Sequence, residues 1–166
     1  AHVAVGPGID GLLGLICRLT LDPGTPVVTS LGAYPTFNFH VAGYGGTLTR
    51  VPYKGDHEDP EALVSAAKST GARLIYLANP DNPTGTIFTR AEFDAFMARV
   101  PDRCLVIYDE AYFEFTAAEP SFPDSMTYRY DNVITLRTFS KAYGLAGLRI
   151  GYGFAHDELV GNLMKV

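Results

Sequence analysis

Seven short apolar segments alternate with longer amphipathic segments along this 166-residue chain. The apolar segments predict β-strands and occupy residues 2–5, 26–29, 46–51, 73–78, 104–109, 132–138 and 148–154. Helices are predicted at 10–21, after Pro35, and at 60–69, 90–100 and 156–166. The segment 73–78 is almost continuously apolar, which is typical of a strand covered on both faces. The alternation therefore predicts an α/β fold of three α/β/α layers, with an open and largely parallel sheet in the middle.

Composition narrows the class of protein. Hydrophobic residues make up 47% and charged residues 19% of the chain, and no apolar run is long enough to cross a bilayer. The net charge of −5 gives no support to nucleic-acid binding. The four histidines are scattered without the spacing of metal ligands, so no metal site is expected. These features predict a globular protein that binds neither membrane, nucleic acid nor metal.

Cys17 and Cys104 both lie in apolar runs, which indicates buried free thiols rather than a disulfide framework. Such thiols fit a reducing compartment, and we expect a cytoplasmic protein. The chain enters a strand almost at once and stops within a predicted helix. We therefore expect residues 1–166 to form one domain of a longer protein.

Polar side chains follow several of the predicted strands. In open parallel sheets, ligands bind beyond the carboxyl ends of the strands. The sequence therefore predicts a binding site at that edge, and its candidate residues are Asn82, Asp109, Tyr112, Thr138, Ser140 and Lys141.

Lys141 lies where the sixth apolar segment breaks into small and polar residues. Thr138 and Ser140 place hydroxyl groups before it, and Arg149 follows eight residues later with a guanidinium. A primary amine among anion-binding groups suits a lysine that forms a Schiff base with a phosphorylated aldehyde. The alternative is a surface lysine in a loop, which describes most lysines.

A glycine-rich turn, Gly6-Pro-Gly-Ile-Asp10, joins the first strand to the first helix. Asp10 is the predicted N-cap of that helix. Free N–H groups at such a helix start suit a phosphate, although most turns of this kind are only turns. Tyr34 ends another strand connection, where it either stacks on a planar ligand or simply packs.

Three motifs in this order resemble the fold-type I pyridoxal-phosphate-dependent aminotransferases. They are Asn-Pro-Thr-Gly at 82–85, Asp-Glu-Ala-Tyr at 109–112, and Ser-Lys at 140–141 followed by Arg149. Residues 138–151 resemble in particular the histidinol-phosphate aminotransferase branch. The resemblance covers essentially the whole chain. It implies the large domain of that fold, with a seven-stranded sheet whose last strand is antiparallel, a pyridoxal 5'-phosphate cofactor and a homodimer.

The resemblance also implies catalytic roles for three residues. Lys141 would hold the cofactor as a Schiff base and move the proton between substrate and cofactor. Asp109 would pair with the pyridine nitrogen, where its negative charge keeps that nitrogen protonated. Tyr112 would bind the phenolic oxygen of the cofactor together with Asn82, and a cis Asn82–Pro83 bond is expected there.

The remaining cofactor contacts are implied in the same way. Tyr34 would stack on the pyridine ring. The phosphate would lie among groups from two parts of the chain, namely Gly8, Ile9, Asp10, Thr138, Ser140 and Arg149. Ile9 departs from the family pattern, which usually has serine or alanine there. The position remains compatible if it contributes only a backbone N–H.

The implied activity is transfer of an amino group to a 2-oxo acid. The donor would be an amino acid or an amino-alcohol phosphate similar to histidinol phosphate. One alternative is decarboxylation of an amino-acid phosphate on the same scaffold, and another is a non-catalytic assembly domain. The arginine with which the family grips the substrate carboxylate lies outside residues 1–166, so these residues do not identify the substrate.

Overall fold

A computed structural model of the chain describes residues 2–127 and 130–166. Its strands are β1 (Val3–Gly6), β2 (Pro26–Ser30), β3 (Thr47–Val51), β4 (Leu74–Ala78), β5 (Leu105–Asp109), β6 (Val133–Thr138) and β7 (Gly151–Phe154). Its α-helices are α1 (Gly8–Thr20), α2 (Thr36–Gly43), α3 (Pro60–Thr70), α4 (Arg90–Met97) and α5 (Asp157–Leu163). Single 3-10 turns occupy Phe113–Thr116, Ser125–Thr127 and Ala146–Leu148. None of the helices in these described ranges is long and apolar enough to cross a membrane.

All seven strands form one sheet in the order β1-β7-β6-β5-β4-β2-β3. The pairs β3–β2, β2–β4, β4–β5 and β5–β6 are parallel. Strand β7 runs antiparallel to both of its neighbours, β6 and β1. The predicted α/β fold, with a mostly parallel sheet and one antiparallel strand, is confirmed.

Helices cover both faces of the sheet and enclose two apolar cores. Helices α1, α2 and α5 pack on one face against Leu74, Tyr76 and Ile107. Helices α3 and α4 pack on the other face, where Ile75 and Tyr108 lie among the buried residues. Alternate residues of a strand point to opposite faces, so β4 and β5 contribute to both cores.

The helix starts differ in how their N–H groups are satisfied. Asp59 accepts a hydrogen bond from the backbone of Ala62 at the start of α3, and Thr89 forms a capping box at the start of α4. Helix α1 begins at Gly8, and no side chain among the described residues caps it. The prediction that Asp10 is the N-cap was wrong. Asp10 lies inside the first turn, and its carboxylate instead pairs with His40 at 2.8 Å.

Close packing of backbone on backbone joins α1 to β7. A Cβ atom added to Gly151 would lie 2.7 Å from the carbonyl carbon of Gly8 and 2.8 Å from the nitrogen of Ile9. Both contacts are shorter than any relaxed van der Waals separation, and neither partner is a movable side chain. Gly151 therefore allows the start of α1 to lie directly against the sheet.

A buried ion pair joins the ends of β5 and β6. Arg137 donates from Nε to Glu110 Oε2 at 2.7 Å and from Nη2 to Asp124 Oδ1 at 3.1 Å. Ser125 donates to the second oxygen of Glu110 at 2.7 Å, and the guanidinium lies 3.5 Å from the centre of the Phe113 ring. These contacts fix the direction in which the chain leaves β5.

A second buried carboxyl group, that of Glu58, lies where β2 stops pairing with β4. Pairing between the two strands ends at Thr29 and Tyr76. Beyond that point Glu58 Oε2, rather than a residue of β2, accepts a hydrogen bond from the backbone N–H of Ala78, at 3.2 Å. Burial, together with the nearby carboxylates of Asp81 and Asp109, raises the pKa of Glu58 to about 8. Glu58 is therefore largely neutral at pH 7.

We expect Gly151→Ala to lower the free energy of unfolding by about 1–3 kcal/mol, because the added methyl group must push α1 away from β7. Gly161→Ala is the matched control, since a Cβ at that position in α5 meets open space. It should be neutral or stabilising by up to about 1 kcal/mol, as alanine is the better helix former. Urea unfolding followed by circular dichroism measures both changes. Equal stability of the two variants would contradict the packing argument.

The pH dependence of stability should reveal the proton on Glu58. The pKa of Glu58 rises on folding from about 4.5 to about 8, so its contribution to stability is complete below about pH 4.5 and is lost as the pH rises toward 8. The slope can reach about 1.4 kcal/mol per pH unit. Because Glu58→Gln cannot ionise, the difference in unfolding free energy between wild type and variant should fall between pH 5 and 8. A difference that stays constant with pH would refute this interpretation.

Candidate active site

A cleft of about 300 Å³ opens at the carboxyl edge of the sheet. A volume of this size is enough to bind a small organic molecule. The cleft brings together ten of the eleven residues that the sequence singled out: Ile9, Asp10, Tyr34, Asn82, Asp109, Tyr112, Thr138, Ser140, Lys141 and Arg149. The eleventh, Gly8, lies directly behind the guanidinium of Arg149.

Asp109 is the last residue of β5 and lies at the bottom of this cleft. The hydroxyl of Tyr76 donates to its Oδ2 at 2.7 Å, and the backbone N–H of Ala111 donates to its Oδ1 at 2.9 Å. Burial raises the pKa of Asp109, whereas these two donors and the nearby charge of Lys141 act in the opposite direction. The result is a carboxylate that is held in one orientation and shielded from bulk water.

Asn82 and Tyr112 lie together on another side of the cleft. Asn82 donates from Nδ2 to the Tyr112 hydroxyl at 3.3 Å, and the Nζ atom of Lys141 lies 5.3 Å from the centre of the Tyr112 ring. The Asn82–Pro83 bond is cis, as expected, and the Asn79–Pro80 bond is cis as well.

Buried hydrogen bonds anchor the start of the turn that carries Asn82. The side chain of Asn79 donates to the Tyr108 hydroxyl at 2.6 Å and to the carbonyl of Phe88 at 3.1 Å. It also accepts from the backbone N–H of Phe88 at 2.9 Å. These bonds hold the turn against the end of β4, so that Asn82 faces the cleft.

Hydroxyl and guanidinium groups gather at the end of the cleft beside α1. Thr138 donates to Ser140 Oγ at 3.0 Å, and Nη1 of Arg149 lies 3.5 Å from the same oxygen. Arg149 has a left-handed backbone with φ of 51°, and Gly8 has φ of 78°. The positive φ of Gly8 favours glycine, and a Cβ there would also lie 2.5 Å from Nη2 of Arg149, so that the guanidinium would have to move. The uncapped N–H groups of α1, two hydroxyls and a guanidinium together form a subsite whose chemistry suits an anion.

Tyr34 and Asp10 contribute to the cleft from its more open side. The side chain of Tyr34 is 53% exposed, so a face of the ring is available to a planar ligand. The Asp10 carboxylate borders the subsite that suits an anion, and its ion pair with His40 offsets its negative charge when the histidine is protonated.

Tyr76 is the functional candidate that sequence reasoning missed. It lies within the apolar run of β4, where periodicity treats it as a core residue. The signal that could have identified it is its position two residues before the end of a strand, where a hydroxyl can reach the site. Other cleft residues absent from the prediction are Leu13, Thr36, Ala78, Pro80 and Ala111.

Opposite charges therefore occupy different parts of one cleft. Arg149 and the start of α1 favour an anion, Asp109 favours a cation or a protonated ring nitrogen, and Lys141 offers a primary amine near Tyr112. This arrangement can orient a small planar molecule that carries an anionic group on one side and a basic nitrogen on another. It also places a nucleophilic amine beside that molecule.

Known proteins share this architecture. Among solved structures, histidinol-phosphate aminotransferase from Sinorhizobium meliloti, in complex with pyridoxal-5'-phosphate, superimposes with a TM-score of 0.94 and 50% identity. The match covers 99% of this chain and 45% of that one.

Curated relatives carry two different names. Histidinol-phosphate aminotransferase from Anaeromyxobacter sp. strain Fw109-5 is 45% identical over 162 residues, which is 96% of this chain and 44% of that protein. Aromatic amino acid aminotransferase from Corynebacterium efficiens is 45% identical over an alignment of 171 positions, gaps included, that covers 99% of this chain and 49% of that protein. This chain thus spans slightly less than half the length of these relatives.

The family model for aminotransferase class I and II matches residues 1–166, the full length of the sequence. The sheet order, the cleft and the motifs that line it agree with that match. The chain is therefore a member of the class I and II aminotransferase family.

Proposed function

We propose that this chain is the cofactor-binding part of a pyridoxal-phosphate-dependent aminotransferase. The observation that carries the proposal is the meeting of Lys141, Asp109 and Arg149 in one cleft. The Sinorhizobium meliloti relative, at 50% identity, was solved with this cofactor. The resemblance of the motifs and the match to the family point the same way.

The residues of the cleft fit the cofactor in charge and shape. Its phosphate matches the hydroxyls of Thr138 and Ser140, the guanidinium of Arg149, and the backbone of Gly8, Ile9 and Asp10. A Cβ at residue 8 would lie 2.5 Å from Nη2 of Arg149, so glycine there lets the guanidinium take this position. Asp109 suits the pyridine nitrogen, Asn82 and Tyr112 suit the phenolic oxygen, and Tyr34 suits the face of the ring.

When bound, pyridoxal phosphate supplies an aldehyde that condenses with amines and a ring that accepts electrons. Lys141 provides the amine from this chain, and its Nζ is the atom that would carry a proton to and from the reacting carbon. Asp109 would keep a proton on the ring nitrogen, because its buried negative charge favours the cationic form. Tyr112 and Asn82 would donate hydrogen bonds to the phenolic oxygen and stabilise its negative charge.

The substrates proposed for the whole protein are an amino donor and a 2-oxo acid. Relatives named for histidinol phosphate and for aromatic amino acids match with similar identity, which supports a donor that carries an aromatic or heteroaromatic side chain. We further propose a cytoplasmic location, which is supported by two buried free cysteines.

We also propose a homodimer. Support comes from apolar side chains that lie exposed in the segment after Lys141, namely Tyr143, Leu145, Leu148 and Ile150, which are 38% to 60% exposed. Large exposed apolar groups in one short segment are typical of a surface that another chain covers.

Adding pyridoxal phosphate to the chain should produce a visible absorption band that borohydride fixes covalently. Peptide mapping should place the label on Lys141, and Lys141→Ala should abolish the label, because Lys141 is the only lysine among the described residues that line the cleft. Lys68→Ala is the matched control, since Lys68 lies exposed on α3, away from the cleft. A label that persists in Lys141→Ala, or its loss in Lys68→Ala, would contradict the assignment.

Sedimentation at micromolar concentrations should show a dimer. Leu148→Gln should weaken it at least several-fold, because it removes part of an apolar contact. Met164→Gln is the control, since Met164 is at least as exposed as Leu148 but lies outside this segment. A monomer at every concentration, or equal association of both variants, would exclude this dimer surface.

A further inference from the structure

We propose that Tyr76 is a positioning residue for Asp109, and that its buried hydroxyl keeps the carboxylate oriented toward the cleft and ionised. The hydroxyl donates to Asp109 Oδ2 at 2.7 Å, a normal length for a well-formed hydrogen bond of this kind. The consequence for a bound ring nitrogen rests on the function proposed above. The effect on Asp109 itself does not.

The sheet register places the two side chains within reach of each other. Tyr76 in β4 pairs with Ile107 in β5, and Ala78 pairs with Asp109. Tyr76 and Asp109 are therefore diagonal neighbours on one face of the sheet, a distance that an aromatic side chain spans.

Packing leaves the Tyr76 ring in one orientation. The ring of Phe37 in α2 stacks on it with centroids 4.8 Å apart and an interplanar angle of 15°. The residue is 2% exposed, and it borders the cleft. A ring held in this way keeps its hydroxyl in place without further loss of side-chain entropy when a ligand binds.

The hydroxyl remains a donor across the physiological pH range. Burial raises the pKa of Tyr76 well above its usual value of 10.0, and the negative charge of Asp109 raises it further. Its bond to the ionised carboxylate lowers the pKa of Asp109 and so counteracts the effect of burial. With Ala111 N–H on the other oxygen, the donors fix both oxygens while their remaining lone pairs stay available to a cation.

Other charges also act on Asp109 and must be separated from Tyr76. Lys141 faces Asp109 across the cleft, and Glu58 interacts with it from the β2 side of β4. Asp81 acts on both Glu58 and Tyr76. The pKa of Glu58 is about 8, so its own change of charge can affect the titration of Asp109. The effect of Tyr76→Phe on Asp109 is therefore measured in both the wild-type and the Glu58→Gln background.

The test is an NMR titration of the Asp109 carboxyl carbon in the cofactor-free chain, with the resonance assigned through Asp109→Asn. Tyr76→Phe removes only the hydroxyl and preserves the stack on Phe37. It should move the titration midpoint of Asp109 to higher pH in both backgrounds. Tyr130→Phe is the matched control, because the Tyr130 hydroxyl donates to Asp94 at the same distance of 2.7 Å, far from the cleft. A midpoint in Tyr76→Phe equal to that of wild type would overturn the proposal.

A second measurement covers the case in which Tyr76→Phe does not fold. In the unmodified chain, the Cζ resonance of Tyr76 should shift with the same midpoint as the Asp109 carboxyl, because protonation of Asp109 weakens its bond to the hydroxyl. A Tyr76 resonance that does not follow Asp109 would overturn the proposal as well.

The cofactor provides a separate readout. Where wild type binds pyridoxal phosphate, Tyr76→Phe should lose affinity at a higher pH than wild type on the acidic side, since Asp109 becomes protonated sooner. If affinity for pyridoxal phosphate fell at the same acidic pH in Tyr76→Phe and in wild type, this result would contradict the proposed role of Tyr76. Failure of wild type to bind pyridoxal phosphate would instead overturn the proposed function, while the cofactor-free titration would still decide the role of Tyr76.

Discussion

Parallel pairing of β4, β5 and β6 in register is the constraint on which the cleft depends. Ala78 pairs with Asp109, and Asp109 pairs with Leu136, so these three strands end at nearly the same level. The antiparallel β7 begins at Gly151, which pairs with Thr138 at the end of β6. Gly6, the last residue of β1, pairs with Gly151 as well. Five chain segments therefore enter or leave the sheet at one edge. Side chains that are far apart in sequence meet there because the strands share one hydrogen-bonded register.

Burial of polar and charged groups at that edge of the sheet costs free energy, and the surrounding hydrogen bonds offset this cost. Glu110 and Arg137 form a pair almost without solvent exposure, and removing one member of such a pair typically costs about 3–5 kcal/mol. Glu58 avoids an unpaired charge by remaining largely neutral at pH 7, with its pKa near 8. Asp109 is stabilised differently, by a tyrosine hydroxyl and a backbone N–H. Each of these three buried acids thus has its own compensation, and of the three only Asp109 borders the cleft.

The two sides of the cleft differ in how firmly the fold holds them. Asp109 and Tyr76 are buried in the sheet, whereas every residue from 141 to 150 is exposed. Lys141 and Arg149 belong to this exposed segment, and the aliphatic neighbours between them are uncovered as well. The buried side sets the charge and direction of the carboxylate. The exposed side supplies the amine and the guanidinium, and its uncovered apolar surface is where the proposed dimer partner would pack.

The class of fold and the polar residues of the cleft could be predicted from the amino-acid sequence alone. Apolar segments alternating with amphipathic ones require a covered parallel sheet, and short motifs such as Asp-Glu-Ala-Tyr mark the strand ends because polar side chains are costly elsewhere in such strands. The partners of Tyr76 and Asp10 could not be predicted, because they depend on tertiary contacts that local sequence patterns do not encode. Tyr76 is a core residue by periodicity, and it becomes a partner of Asp109 only through the register of β4 on β5. Asp10 is a residue type that often caps helices, yet the helix begins earlier, at Gly8, which packs against Gly151. The Asp10 carboxylate therefore pairs with His40 instead of capping the helix. Hydrogen bonds between distant strands and contacts between backbones depend on the whole sheet, and for this reason only the folded chain reveals them.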